Sequence, residues 1–290
     1  MIKIEINDIE GIAKNFVERI EKSILKNKFQ PQQKKFPDDE LHKLIHEIYL
    51  CKAEELENKH TEFKNYLQQN SINENDIEKK YFDYKTIIEY KKDKISHAYW
   101  LMNVLKINTC PYCNRQYTFT INNKGIRPQI DHYYSQSQNP YLALSFYNLI
   151  PSCPNCNQIK SNKSIDINPH IADFGANYRF VINNKNIGNP TIIDKKDIEV
   201  DFSNNNKNIT VFGLKELYNK HKDYVEEIID KAQAYNSTYY DSLIQSFSGL
   251  GATPEQIDRY VWGNYTEMAD QCKRPLSKLT RDVLEQLDIK

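Results

Sequence analysis

The amino-acid sequence predicts an α+β protein that is mostly helical and has a small ββα core at its centre. Apolar residues recur at helical spacing in the first 105 residues and again from residue 214 onward. Between these regions, apolar and polar residues alternate after Cys113, which is typical of strands. Two Cys-x2-Cys pairs flank the alternating stretch, with 39 residues between them. We therefore expect helical regions on both sides of the core.

Residues 1–105 are expected to form a helical scaffold or a partner-docking region. A first helix is predicted over residues 6–28, from an apolar stripe at helical spacing: Ile9, Ile12, Phe16, Ile20 and Ile24. A second helix is expected to begin near Pro37 and Asp38, because proline and acidic residues favour a first turn. A third is predicted from Asp76 towards Leu105. This region contains no recognisable catalytic motif.

Residues 106–170 are expected to form the core. Strands are predicted over 117–121 and 126–130, joined by a turn that ends at Gly125, so that they make a β-hairpin. The second strand would present Asp131 and His132 at its end. A short helix should then run from Cys153 through Lys160, which completes the ββα arrangement.

Residues 171–290 are expected to be mixed at first and helical afterwards. Short strands are predicted at 178–182 and 198–202, and a long helix from Leu214. Pro254 is expected in the first turn of a short helix. A final helix is predicted between Leu276 and Leu287.

The net charge is zero, from 39 basic and 39 acidic residues, so overall charge does not indicate a nucleic-acid partner. The distribution does, because residues 106–163 carry six basic residues and one acid, Asp131. No apolar run approaches the ~20 residues of a membrane span, and no signal sequence is apparent, so a cytoplasmic protein is expected. In that compartment paired cysteines indicate metal binding rather than disulfides.

The four paired cysteines predict a structural zinc site. Each Cys-x2-Cys turn can direct two thiolates to one point, and two such turns complete a tetrahedral site: Cys110, Cys113, Cys153 and Cys156. Because sulfur fills all four positions, this zinc cannot activate water. It would act as a brace for the core.

Asp131 and His132 are the candidate catalytic pair. A carboxylate prefers hard cations such as Mg²⁺, and a neutral imidazole is a general base near pH 7. Phosphodiester cleavage needs a base for the attacking water and a cation on the phosphate. A surface turn would be the ordinary explanation for an Asp-His pair, but here the pair lies between the two cysteine pairs.

Asparagine and basic residues complete the candidate site. The amides of Asn148 and Asn157 can each pin a loop or orient an imidazole, and an amide oxygen can bind Mg²⁺. Lys160 follows Asn157 by about one helical turn, so it is a candidate phosphate contact. Lys163 and Arg115 are further candidates. A solvated surface position is the alternative explanation for each lysine.

These residues, in this order, resemble the HNH or ββα-metal endonuclease family in its four-cysteine form, over about 55 of the 290 residues. The resemblance implies that Asp131 binds the catalytic Mg²⁺ or Mn²⁺ and that His132 is the general base. It also implies that Asn148 positions the base loop and that Asn157 is a metal ligand. The family usually has histidine at the last position, but asparagine occurs there in the HNH domain of CRISPR effector nucleases. His170 is a possible substitute ligand.

The chain is also similar to bacterial HNH proteins of anti-phage defence. Those of Septu-like and retron-linked systems act beside an ABC-type ATPase, and the resemblance implies such a partner here. The sequence leaves three functions open. The chain is a metal-dependent endonuclease, a zinc-ribbon binding module without catalysis, or an interaction subunit that carries a decayed nuclease core.

Overall fold

The computed structural model describes residues 1–28, 39–92, 94–183, 198–235 and 237–289. Pro37 and Asp38, where the second helix was expected to begin, lie outside these residues. Within them, the helices are α1 (Ile9–Lys28), α2 (Asp39–Leu50), α3 (Leu56–Gln69), α4 (Glu74–Tyr81), α5 (Tyr84–Ile88), α6 (His97–Leu105), α7 (Pro154–Lys160), α8 (Lys207–Val211), α9 (Leu214–Tyr218), α10 (Lys222–Ala234), α11 (Ser237–Gly249), α12 (Pro254–Trp262) and α13 (Ser277–Gln286).

The strands in the described residues form three antiparallel pairs. They are β1 (Lys91–Lys92) with β2 (Ile95–Ser96), β3 (Gln129–His132) with β4 (Leu149–Ser152), and β5 (Phe180–Ile182) with β6 (Val200–Phe202). This content confirms the predicted α+β class with a helical majority. None of the described helices combines the length and the apolar character that crossing a bilayer requires.

Residues 4–107 and 118–171 form one compact unit, which contains α1 to α7 and β1 to β4. Phe16 and Ile20 of the predicted stripe of α1 are fully buried, and so is Val17 beside them. An aromatic cluster joins the loop after β3 to the helices of this unit. The Tyr141 ring lies 5.0 Å from the Phe63 ring and 5.3 Å from the Phe82 ring, between centroids, and its hydroxyl donates to the Glu74 carboxylate.

Residues 1–3, 108–117 and 172–290 form a second compact unit, which contains β5, β6 and α8 to α13. Asn114 fixes the turn that follows the first cysteine pair. Its side chain donates to the carbonyl of Gln271 and accepts from the backbone N–H of Lys278, at 3.0 and 3.1 Å. The Tyr218 hydroxyl donates to the Cys113 carbonyl over 2.6 Å. The turn is therefore held by fully buried polar contacts.

The structure corrects the predicted helix from Asp76 towards Leu105. The segment divides into α4, α5, the β1–β2 pair and α6. A side-chain cap starts each of these helices. For example, Asp83 accepts from the backbone N–H of Thr86, and Ser96 accepts from the backbone N–H of Tyr99. Local capping therefore overrides the longer apolar pattern.

The predicted hairpin between residues 117 and 130 is also wrong. Only the single bridge between Ile121 and Ile126 joins its two arms, and β3 pairs instead with β4, where His132 lies opposite Leu149. Phe119, Ile121 and Ile126 are each 49% exposed, whereas Thr118 is buried and donates to the Ile107 carbonyl. The predicted delivery of Asp131 and His132 at a strand end is nevertheless confirmed.

Outside the core, most of the predicted elements are present. The strands expected at 178–182 and 198–202 correspond to β5 and β6, and the long helix expected from Leu214 is divided between α9 and α10 by a short 3-10 turn. Pro254 begins α12, as predicted. The final helix is α13, which starts one residue after Leu276.

Candidate metal centres and catalytic site

The four paired cysteines come together as predicted. Their Sγ atoms all lie within 4.8 Å of one another, and every one of the four residues is buried. Local structure explains part of this arrangement, because Cys153 is the N-cap of α7 and Pro154 occupies its first turn. Four thiolates at this separation are the donor set of a closed tetrahedral zinc site. The residues therefore fit a structural zinc ion.

Side chains of helix α7 contact strand β3. The Asn157 amide nitrogen donates to Gln129 Oε1 over 2.7 Å, and Lys160 Nζ lies 3.2 Å from Asp131 Oδ2. Because alternate residues of a strand point to the same face, Gln129 and Asp131 both face α7. Asp131 is 4% exposed. The structure thus brings Asp131 and Asn157 to one face of the strand.

His132 belongs to the other face of β3. Its Nε2 lies 3.0 Å from the carbonyl oxygen of Ala143, and the Tyr84 ring packs edge-on against it with 4.5 Å between centroids. Burial is the main cause that lowers the pKa of His132 to about 4, and the positive charge of Lys160 contributes. The imidazole is therefore neutral at pH 7. Because a carbonyl can only accept, Nε2 carries the proton and Nδ1 keeps its lone pair.

Asn148 organises the loop between β3 and β4. Its Oδ1 accepts from the backbone N–H of Tyr134 at 2.7 Å, and its Nδ2 donates to the carbonyls of Tyr134 and Leu142 at 3.1 and 2.9 Å. Asn148 is fully buried. This placement agrees with the loop-positioning role that the resemblance implied, and the role itself stays a prediction.

Among the predicted phosphate contacts, Lys160 does not have the accessible position that a phosphate contact needs. It is fully buried, and its Nζ donates to the His132 carbonyl over 2.5 Å in addition to its ion pair with Asp131. Lys163, by contrast, is exposed. The Arg115 side chain is partly buried and donates from Nε to Nε2 of His221 over 2.8 Å.

His170, the possible substitute ligand, lies against β4. Its Nε2 lies 3.1 Å from the carbonyl oxygen of Leu149, and its ring packs against Phe146 and Tyr147. Burial lowers the pKa of His170 to about 4, so the ring is neutral at pH 7. Through these contacts His170 packs against β4.

Two residues of the site were not predicted from the sequence. Gln129 holds the Asn157 side chain, and the alternating pattern did not distinguish it from any other polar strand residue. Tyr84 comes from the region in which we found no chemistry, yet its ring contacts His132. Burial raises the pKa of its hydroxyl well above the usual range, so it stays neutral. No local signal in the sequence marks Tyr84.

Comparison with known proteins identifies a family for the central segment. Neither the curated proteins nor the solved structures contain a match to this chain. A family model does match, and it covers the cysteine cluster together with Asp131, His132, Asn148 and Asn157. The segment that matches is residues 110–163, and the model it matches is that of the HNH endonucleases.

Proposed function

We propose that the protein is a metal-dependent endonuclease that hydrolyses phosphodiester bonds of nucleic acids. The observation that carries this proposal is His132, which is neutral and is anchored through Nε2 next to Asp131 within the HNH domain. A nuclease needs a fixed base whose lone pair points away from its anchor, and Nδ1 meets this need. Among the described residues, Nδ1 has no hydrogen-bond partner.

In the proposed reaction, His132 Nδ1 takes a proton from a water molecule while the water oxygen attacks phosphorus in line. The Ala143 carbonyl holds the ring by accepting from Nε2, and it stabilises the imidazolium that forms. Asn148 keeps this carbonyl in place, because it ties the loop that leads to Ala143 through the carbonyl of Leu142. The bond between phosphorus and the 3′ oxygen breaks, the 3′ oxygen takes a proton from solvent water to become a hydroxyl, and the phosphate stays on the 5′ side of the cut.

Asp131 and Asn157 are the residues that would hold a divalent ion. The Asp131 carboxylate and the Asn157 amide oxygen are hard donors of the kind that Mg²⁺ and Mn²⁺ prefer. Asp131 lies on the side of β3 that faces α7, and Asn157 contacts that side from α7. A magnesium site commonly takes only one or two protein ligands and completes its shell with water and phosphate. When bound, the ion would neutralise charge on the phosphate and on the leaving oxygen.

We propose DNA as the substrate in preference to RNA. Lys163 is the exposed basic residue that follows α7, and with Arg115 it belongs to the basic segment around the domain. We further propose that the protein is the nuclease of a bacterial defence system and acts beside an ABC-type ATPase. Co-expression with an adjacent ATPase gene, followed by affinity purification, tests that partnership separately.

Cleavage assays with purified protein test the nuclease proposal. Plasmid, single-stranded DNA and tRNA are incubated with Mg²⁺, Mn²⁺ or EDTA, beside the His132→Ala variant. We expect cleavage that requires a divalent ion, and a loss of at least about 100-fold in His132→Ala with zinc content and folding retained. Equal activity in both proteins would instead support the alternatives, which are a zinc-ribbon binding module without catalysis and an interaction subunit with a decayed core.

A further inference from the structure

We propose that Lys160 is a positioning residue for the nuclease reaction, which holds Asp131 and His132 in their working arrangement and does not bind substrate. This inference rests on the proposed function. Lys160 is 0% exposed, and lysine is almost never fully buried unless its charge is paired. A fully buried lysine inside a candidate active site therefore requires an explanation from its partners.

The two partners of Lys160 belong to the two adjacent candidate catalytic residues. Its ammonium group lies 3.2 Å from Asp131 Oδ2 and donates to the His132 carbonyl oxygen over 2.5 Å. One group therefore fixes both the carboxylate side chain of Asp131 and the peptide that carries the His132 imidazole. Lys160 is the last residue of α7, so the position of this helix determines the positions of Asp131 and His132.

A second contact between α7 and β3 restrains the helix that carries Lys160. Asn157 lies one helical turn earlier and contacts Gln129, and Lys160 contacts Asp131, so the same helix face meets the same strand face at two points. Displacement of a reacting group by about 1 Å can cost about 100-fold in rate. A contact that restrains two groups at once therefore affects turnover directly.

Substrate binding is the competing explanation for Lys160, and the geometry opposes it. The buried Nζ of Lys160 already has two partners, the Asp131 carboxylate and the His132 carbonyl. Lys163, three residues later, is exposed and is the contrasting residue. A lysine that contacts phosphate contributes to affinity and to its salt dependence, whereas a positioning lysine contributes to turnover.

The test compares Lys160→Met with Lys163→Met by steady-state cleavage at several salt concentrations. For Lys160→Met we expect kcat to fall by between about 10- and 100-fold, with KM and its salt dependence unchanged. For Lys163→Met we expect a higher KM and a salt slope smaller by about 1. A raised KM with a smaller salt slope in Lys160→Met, or a kcat equal to that of the unmodified protein, would overturn the proposal.

A second measurement does not depend on activity. Urea midpoints are measured for Lys160→Met, Asp131→Asn and the double variant, because removing one member of a buried pair leaves the other unpaired. We expect the double variant to unfold at a higher urea concentration than Lys160→Met alone, and additive losses would overturn the proposed contact. If the unmodified protein cleaves nothing, the nuclease proposal fails. A different outcome separates the two proposals: the unmodified protein cleaves, His132→Ala does not, and Lys160→Met keeps the full kcat. In that case only the positioning role of Lys160 fails.

Discussion

Replacing Asn148 by alanine should lower the free energy of unfolding strongly, although the asparagine side chain is small. The substitution removes three hydrogen bonds, two to the backbone of Tyr134 and one to the Leu142 carbonyl. Each is worth about 1 kcal/mol net, so the free energy of unfolding should fall by about 3 kcal/mol. The Leu142 carbonyl keeps a second bond, from the backbone N–H of Ser145 at 3.2 Å, which limits the loss at that group.

Urea unfolding followed by tryptophan fluorescence measures this loss. With a slope of about 1 to 3 kcal/mol/M, the midpoint of Asn148→Ala should fall by roughly 1 M or more. Ser145→Ala is the matched control, because the Ser145 hydroxyl lies in the same loop and, within the described residues, is buried without a hydrogen-bond partner. This control should change the free energy of unfolding by no more than about 0.5 kcal/mol. Equal midpoints for the two variants would refute the reasoning.

Two further predictions concern zinc and pH. Cys110→Ser should lose bound zinc and cooperative folding, whereas Cys272→Ser, which is outside the cluster, should keep both. Metal analysis measures the zinc content, and circular dichroism measures the folding. Full zinc content in Cys110→Ser would refute the prediction. The pKa of His97 is lowered from 6.5 to about 4, chiefly by burial and also by the adjacent Arg19 guanidinium. The unfolded chain therefore binds this proton first, so stability should be complete above about pH 6.5 and should fall between pH 6.5 and pH 4. Between pH 7 and pH 5 the urea midpoint should fall less in His97→Gln than in the unmodified protein. An equal fall in the two proteins would contradict the role of His97.

Part of the site could be predicted because its signals come from residues that are adjacent in the sequence. The cysteine spacing predicted the cluster, and the Cys153-Pro154 step predicted the start of α7, because a helix N-terminus is set by a few adjacent residues. The end of β3 at His132 was likewise readable from local alternation. In each case the signal lies within a few residues of the feature it predicts.

Long-range contacts were not predictable in the same way. Alternation indicates that a segment is a strand but not which strand it pairs with, so β4 was missed as the partner of β3. Helical spacing placed Lys160 on the same face as Asn157 but did not reveal that this face meets Asp131. Tyr84 reaches His132 across 47 intervening positions in the chain, and no local pattern encodes that contact.

The aromatic cluster around Tyr141 has a consequence for any attempt to isolate residues 110–163 as a fragment. Excision of residues 110–163 would remove Phe63 and Phe82, which cover the Tyr141 ring, and Glu74, which accepts from its hydroxyl. The same cut would strip the Tyr84 ring from the imidazole of His132. Grafts of this domain onto another protein should therefore retain α3 to α5 together with it.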